Sequence, residues 1–370
     1  MGRIQRFHGM PRSGQEPALF VNGLGTANPP NRYTKAECWD SFKRSEWFRK
    51  LDRRSHMIAE TVLTKDNGIE ARTLALDGLH EVFRIDPDTL HQRFLIHAPA
   101  LATESARAAM TDARLLARDI DAIVISTCTG YLCPGLTSHV IERLGLRPDV
   151  LAFDLVGQGC AAALPNWRLG AALLTGGTCR NVLAVCVEVS SAAMYLDDDP
   201  GVLISACLFG DGAGAAVLSP HPDPGRRSIE WRAFGSLTNP AERDALKFET
   251  QRGMLRNVLT RPVPRLAADH AQQVLQRVLD AAGLAPDDIA AWIMHAGGRD
   301  VLLALQRTLQ LDNGELRYSA AVLRDYGNMS SAFVYYVLQA ALRDNAPSGW
   351  WWMASFGAGF SCHGALLKAA

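Results

Sequence analysis

In Leu116-Ala117-Arg118-Asp119-Ile120-Asp121-Ala122-Ile123-Val124-Ile125, a polar turn around Asp119 runs into an apolar segment. The same plan returns at Ala285-Pro286-Asp287-Asp288-Ile289-Ala290-Ala291-Trp292-Ile293-Met294, with Asp288 standing 169 positions after Asp119. Each segment follows an amphipathic pattern of helical period, over residues 101–112 and 268–282, and each leads into a buried strand. Two further echoes keep the same order. Gly159-Cys160-Ala161 lies 168 positions before Gly327-Asn328-Met329, and both stand at the mouth of a predicted helix. Phe209-Gly210-Asp211-Gly212-Ala213-Gly214 is matched by Phe356-Gly357-Ala358-Gly359-Phe360 near the end of the chain. Each half therefore reads strand, helix, strand, helix, then two strands, which is an α/β fold with mixed sheets covered by helices.

The length of 370 residues suits two packed halves. The first half is read as residues 1–219 and the second as 233–370. Between them, residues 220–232 carry Pro220, Pro222, Pro224, Gly225, Arg226 and Arg227 and read as a surface linker. The predicted helices over 161–174 and 329–343 are rich in Ala, Gly and Leu on all faces, which marks buried helices. Pro165 is tolerable there because it falls in the first turn, where few backbone donors need partners. The expectation is two buried helices between sheets, with their N-termini aimed at one shared site.

Bulk properties exclude several classes. Lys+Arg and Asp+Glu are equal at 38 each, so the basic excess of a nucleic-acid binder is missing. No apolar run approaches the roughly 18 residues of a membrane-spanning helix. Residues 1–14 carry Arg3, Arg6, His8 and Arg12 without an apolar core, unlike a secretory signal. The 8 cysteines show no paired or metal-ligand spacing, so neither a disulfide framework nor a metal site is expected. A reducing cytoplasm suits such thiols.

The chemistry centres on Cys160. It sits in Phe153-Asp154-Leu155-Val156-Gly157-Gln158-Gly159-Cys160-Ala161-Ala162-Ala163, where a strand meets two glycines and then a helix. A thiol near the positive end of a helix dipole has a lowered pKa and becomes a nucleophile, although most cysteines are inert core residues. Trp292-Ile293-Met294-His295-Ala296-Gly297-Gly298 brings a histidine to the end of an apolar strand, and Tyr326-Gly327-Asn328 brings an amide to a helix mouth. The repeat puts Cys160 and Asn328 at equivalent points and His295 in the same layer. An imidazole activates a thiol, while imidazole N–H and amide N–H together can hold a thioester oxygen as it gains enolate charge. That is what decarboxylating a malonyl thioester requires.

Gln158-Gly159-Cys160, His295-Ala296-Gly297-Gly298, Gly327-Asn328-Met329-Ser330-Ser331 and Leu208-Phe209-Gly210-Asp211-Gly212 together resemble the type III polyketide synthases, the chalcone synthase-like branch of the thiolase superfamily. The resemblance runs from about residue 20 to 367. It implies a thiolase-like duplicated layered fold. Cys160 would carry the acyl chain, His295 would keep it ionised, and His295 with Asn328 would stabilise the thioester carbonyl. Phe209 matches the gatekeeper between the CoA tunnel and the reaction cavity. Substrates would be acyl-CoA and malonyl-CoA, with no metal or prosthetic group, and the assembly a homodimer.

Departures from the plant enzymes bear on the substrate. Thr127-Cys128-Thr129-Gly130 replaces a Thr-Thr-Ser-Gly stretch lining the cavity, and Cys133 stands where a methionine reaches into the partner's cavity. Ser190 and Ala193 stand where two cavity threonines stand, which implies more room. Gly253 joins the cavity set and Ser330 keeps its family counterpart. Gly357-Ala358-Gly359-Phe360-Ser361-Cys362-His363 replaces a Gly-Phe-Gly-Pro-Gly loop, so the plant enzymes' cyclisation rules do not carry over. Val156 to Asn166 and Met254-Leu255-Arg256-Asn257-Val258-Leu259 resemble bacterial synthases of alkylresorcinols and alkylpyrones, which implies a long-chain fatty acyl starter. Arg72 falls where the family has a basic run near the tunnel; it, Lys50, Gly297 and Gly298 would meet CoA. The alternatives are a ketoacyl-ACP synthase III-like enzyme making one condensation, a type III synthase with a small or aromatic starter, and a silent scaffold of the same fold.

Overall fold

In a computed structural model, residues 19–370 are described; the reading of residues 1–14 lies outside them. Nine strands form one mixed sheet. The first half contributes β1 (Leu19–Ala27), β2 (Ala122–Ser126), β3 (Leu151–Leu155), β4 (Val182–Glu188) and β5 (Gly212–Ser219). The second contributes β6 (Ile229–Thr238), β7 (Ile289–Met294), β8 (Gly349–Gly357) and β9 (Ser361–Ala369). The sheet order is β7-β8-β9-β6-β1-β5-β4-β2-β3. The halves join where β1 pairs antiparallel with β6, Leu19 opposite Trp231 and Phe20 opposite Glu230.

Pairing within the halves repeats. β2 runs parallel to β4 and β7 parallel to β8, and both inner strands turn back antiparallel into β5 and β9. The turns opening β2 and β7 repeat as well. Asp119 accepts from Leu116 N at 2.8 Å, and Asp288 accepts from Ala285 N at 2.7 Å. Two differences separate structure and expectation. The connection between halves is shorter than residues 220–232, because β6 begins at Ile229 and Ile229 to Arg232 belong to the sheet. Secondly, edge strand β3 has no counterpart among the described residues of the second half, where helices Arg299–Thr308 and Arg317–Tyr326 follow β7.

β4, Val-Leu-Ala-Val-Cys-Val-Glu, is buried along its whole length, as an interior strand covered on both faces must be. Helices Ala163–Thr175 and Phe333–Arg343 pack between the two halves. The first touches β2, β4 and β5 of its own half and β8 and β9 of the other; the second touches β7 and β8 of its own half and β1 and β5 of the other. Trp167 Nε1 donates to Tyr335 OH at 2.9 Å, so the one polar atom of each ring is satisfied by the other. Helix Pro87–Asp112 covers β1, β4 and β5, and helix Val263–Ala282 covers β6 and β9. The fold thus brings the N-terminal ends of two buried helices to one place.

Candidate active site

Before each central helix lies a short 3-10 turn, Gly159–Ala161 in the first half and Ser330–Ala332 in the second. Their first residues, 159 and 330, are 171 positions apart, not 168. On this register Cys160 corresponds to Ser331, and Asn328 enters one turn earlier. The two residues still line one cavity, because the turns themselves are in contact: Ser330 Oγ donates to Cys160 Sγ at 3.2 Å. Gly159 has a φ of 54°, a left-handed value that favours glycine. A Cβ on Gly357 would come within 2.5 Å of Ala161 N and Gln158 O, so β8 lies directly against the cysteine turn.

Asn328 is fixed on both sides. Its N–H donates to Leu208 O at 2.9 Å, and its carbonyl accepts from Gly210 N at 2.9 Å, locking it beside Phe209. Its side-chain Oδ1 accepts from Ser330 N at 2.9 Å, leaving Nδ2 as the outward donor, 3.3 Å from Gly297 O. His295 follows β7, with its backbone N–H on Ala354 O at 2.9 Å and its ring edge-on to Phe333. Its Nδ1 is buried without a hydrogen-bond partner among the described residues.

These groups line one cavity of about 630 Å³, which contains Cys160, Phe209, His295, Gly297, Gly298 and Asn328. Arg54, Arg261 and Arg299 line it too. Phe209 also lines a second compartment of about 20 Å³ with Thr129, Ser190 and Ala193. Thr129 continues into a third cavity of about 670 Å³ with Cys128 and Gly253. The extra room expected beside Ser190 and Ala193 is not there: Met194, Tyr195, Phe248 and Asn257 crowd that compartment, and the volume lies beyond it.

The two proposed phosphate contacts need correction. Arg72 is 5% exposed and lines neither the 630 Å³ cavity nor its mouth. Its Nη1 donates to Ala206 O at 2.8 Å and Phe209 O at 2.9 Å, and its Nη2 to Cys38 Sγ at 3.4 Å. The charge is therefore spent on the carbonyl end of helix Pro200–Leu208. Lys50 stands on a different surface groove, paired with Glu46 at 3.4 Å and over the Trp47 ring. Cys133 is exposed and lines none of the three cavities.

The electrostatics also differ from expectation. Burial pushes the Cys160 thiol up to about 12; the Ser330 hydroxyl opposes this and the Glu188 carboxylate adds to it. Burial pushes His295 down to about 3. Among the described residues no hydrogen bond joins the two. Each group alone is held neutral by desolvation, which outweighs the dipole argument made from sequence. A buried thiolate at this position would be stabilised by a positive partner, since an isolated buried charge is costly.

Glu188, which sequence reasoning passed over, sits at the end of β4 and is fully buried. It accepts from Cys128 N at 3.0 Å, Thr129 Oγ1 at 3.0 Å, Ser330 Oγ at 3.3 Å and Ser331 Oγ. Burial raises its pKa and these donors oppose the rise. A lone acid closing an all-apolar strand was the available signal.

Family models match the chain over most of its length: "FAE1/Type III polyketide synthase-like protein" over residues 27–232 and "Chalcone and stilbene synthases, C-terminal domain" over 240–370. The chain belongs to the type III polyketide synthase family. It is therefore an acyltransferase of the decarboxylative condensing kind, acting with malonyl-CoA. It is similar to the 1,3,6,8-tetrahydroxynaphthalene synthase of Streptomyces peucetius subsp. caesius, at 31% identity over 94% of this chain and 92% of that one. It is 30% identical to the bisdemethoxycurcumin synthase of Oryza sativa subsp. japonica, over 100% and 95% of the two chains. Among solved structures, PKS-I from the brown algae Ectocarpus siliculosus superposes with a TM-score of 0.85 at 25% identity, covering 95% of this chain and 98% of that one. A type III pentaketide synthase from Neurospora crassa gives 0.82 at 25%, covering 95% and 100%. Among the described residues no helix is long and apolar enough to cross a membrane, and no His/Cys/Asp/Glu cluster could hold a metal ion.

Proposed function

We propose that this type III polyketide synthase loads a long-chain fatty acyl starter on Cys160, extends it with malonyl units and closes an alkylresorcinol, alkylresorcylic acid or alkylpyrone. The observation that carries the starter class is the cavity of about 670 Å³ beyond Cys128 and Gly253, whose walls include Leu90, Phe94, Leu246, Phe248, Met254 and Leu255. A volume of that size with an apolar lining suits a hydrocarbon tail. A small, oxygen-rich starter is the second reading, favoured by the 20 Å³ compartment beside Phe209 and by the polyhydroxylated product in the name of the Streptomyces peucetius relative.

In the proposed cycle, His295 takes the Cys160 proton and the thiolate attacks the starter thioester, releasing CoA. Malonyl-CoA then loses carbon dioxide, and the enolate oxygen is held by Asn328 Nδ2–H and the imidazole N–H of His295. The carbanion attacks the acyl thioester, a carbon–carbon bond forms and the Cys160 sulfur leaves. The lengthened chain, now a CoA thioester, is attacked at its carbonyl by the Cys160 thiolate, and CoA leaves as the chain returns to the cysteine for the next round. Arg54 and Arg261 at the cavity wall are the cations assigned to the CoA phosphates, with Gly297 and Gly298 leaving room for the thioester arm.

A homodimer is part of the proposal. Edge strand β3 leaves its backbone unpaired on one side, with Leu151 exposed and Tyr131 and Val156 exposed nearby. Eight free thiols suit a cytoplasmic setting. The test is product analysis with malonyl-CoA and an acyl-CoA series from acetyl to palmitoyl. Turnover rising with chain length supports the fatty starter; turnover confined to the shortest members supports the second reading; no product with any member contradicts both.

A further inference from the structure

The compartment of about 20 Å³ beside Phe209 has polar atoms that the protein leaves unpaired. Ser190 is 9% exposed and Asn257 7%, and Ser190 Oγ and Asn257 Oδ1 are buried with no hydrogen-bond partner among the described residues. Folded proteins leave few such groups, because each costs the desolvation it never recovers. Thr129 in the same wall is different: its hydroxyl donates to Glu188 at 3.0 Å and accepts from Val189 N at 2.9 Å.

Both unpaired side chains stand on rigid supports. Asn257 lies in strand Met254–Leu259, directly opposite Phe248 of strand Leu246–Gln251, so the two share a face and both reach the compartment. Ser190 opens the 3-10 turn Ser190–Ala193, which buried Asp211 holds by accepting from Ser191 N at 2.9 Å and Ser191 Oγ at 2.6 Å. The space takes one water-sized group and not a length of chain. Its ligand is thus a single protruding oxygen. The unpaired atoms are an amide acceptor, Asn257 Oδ1, and a hydroxyl, Ser190 Oγ, which match an enol whose O–H donates to Asn257 and whose oxygen accepts from Ser190; a methylene would leave both groups unpaired.

We propose that Asn257 and Ser190 form a two-point hydrogen-bonding subsite for an enol oxygen of the β-keto chain growing on Cys160. The subsite favours chains that have already been extended over their saturated equivalents. It rests on the polyketide-extension reading above and is independent of which starter is used.

The test compares kcat/KM for acetoacetyl-CoA against butanoyl-CoA, and for 3-oxohexanoyl-CoA against hexanoyl-CoA, each as starter with malonyl-CoA. Wild type should prefer the 3-oxo member of at least one pair by roughly tenfold or more, as a site built around a substrate oxygen rejects the analogue lacking it. N257L and S190A should each bring that ratio towards one, by lowering the 3-oxo starter's kcat/KM more than the saturated starter's. A wild-type ratio near one in both pairs, as expected if only water fills the compartment, overturns the proposal; so does a ratio unchanged in both variants. Decarboxylation of malonyl-CoA to acetyl-CoA without starter is measured in parallel. Its absence from wild type overturns the extension reading itself, whereas its presence with unchanged ratios overturns the subsite alone. If N257L loses decarboxylation through misfolding, S190A, which removes one oxygen, decides the matter.

Discussion

The turns at the mouths of the two central helices have the same backbone plan and opposite chemistry. In the first half, Gly159–Ala161 delivers a thiol; in the second, Ser330–Ala332 and the preceding Asn328 deliver a hydroxyl and an amide. The first turn is crowded from outside by β8, and the second is tied by backbone bonds to the segment carrying Phe209. Under the proposed function, this duplicated frame is divided into a half that carries the chain and a half that holds its oxygen. The strands differ in the same sense: the first half keeps the free edge β3, while the second replaces it with helices.

Substitutions can break this division at each point. Cys160→Ala removes the thiol of the paired turns and should end chain extension outright, read as loss of all polyketide product by chromatography. On the oxygen-holding side, Asn328→Ala or His295→Ala should slow malonyl-CoA decarboxylation by about 10²–10³-fold, the cost of one oxyanion donor. His295→Ala has a second consequence. With no acceptor for the thiol proton, Cys160 keeps the high pKa that burial gives it. The pH profile of its alkylation by iodoacetamide should move to higher pH than in wild type, and an unmoved profile would deny His295 that role.

Smaller changes sharpen the comparison. Ser330→Ala deletes the hydrogen bond that stabilises the thiolate across the two turns. Alkylation at pH 7 should slow by roughly two- to tenfold, the worth of one such bond. Glu188→Gln acts in the opposite direction. Its carboxylate raises the Cys160 pKa, so removing the charge lowers that pKa and speeds alkylation at neutral pH by about threefold. If both variants shift the rate the same way, the electrostatic account of the turn is wrong.

Much of this was legible in the sequence. The Asp119 and Asp288 turns, the strands after them and the two buried helices follow from pattern, because buried helices and interior strands leave continuous apolar runs. Cys160, His295, Asn328 and Phe209 were singled out from motifs, and the structure brings them to one cavity. The register between halves was not, because a three-residue shift in a glycine-rich turn leaves no mark on residue type. Arg72 was misread for a related reason: its partners are backbone carbonyls 134 and 137 residues away, which no side-chain pattern announces. Smaller residues at Ser190 and Ala193 did not widen the compartment, since Phe248 and Asn257 arrive from a hairpin whose packing is tertiary.

Intact-protein mass spectrometry after incubation with an accepted acyl-CoA, followed by peptide mapping, tests the division of labour most directly. A single acyl adduct on the peptide bearing Cys160, absent from Cys160→Ala, is the predicted result. An adduct that persists in Cys160→Ala, on neighbouring Cys128 or elsewhere, would contradict it.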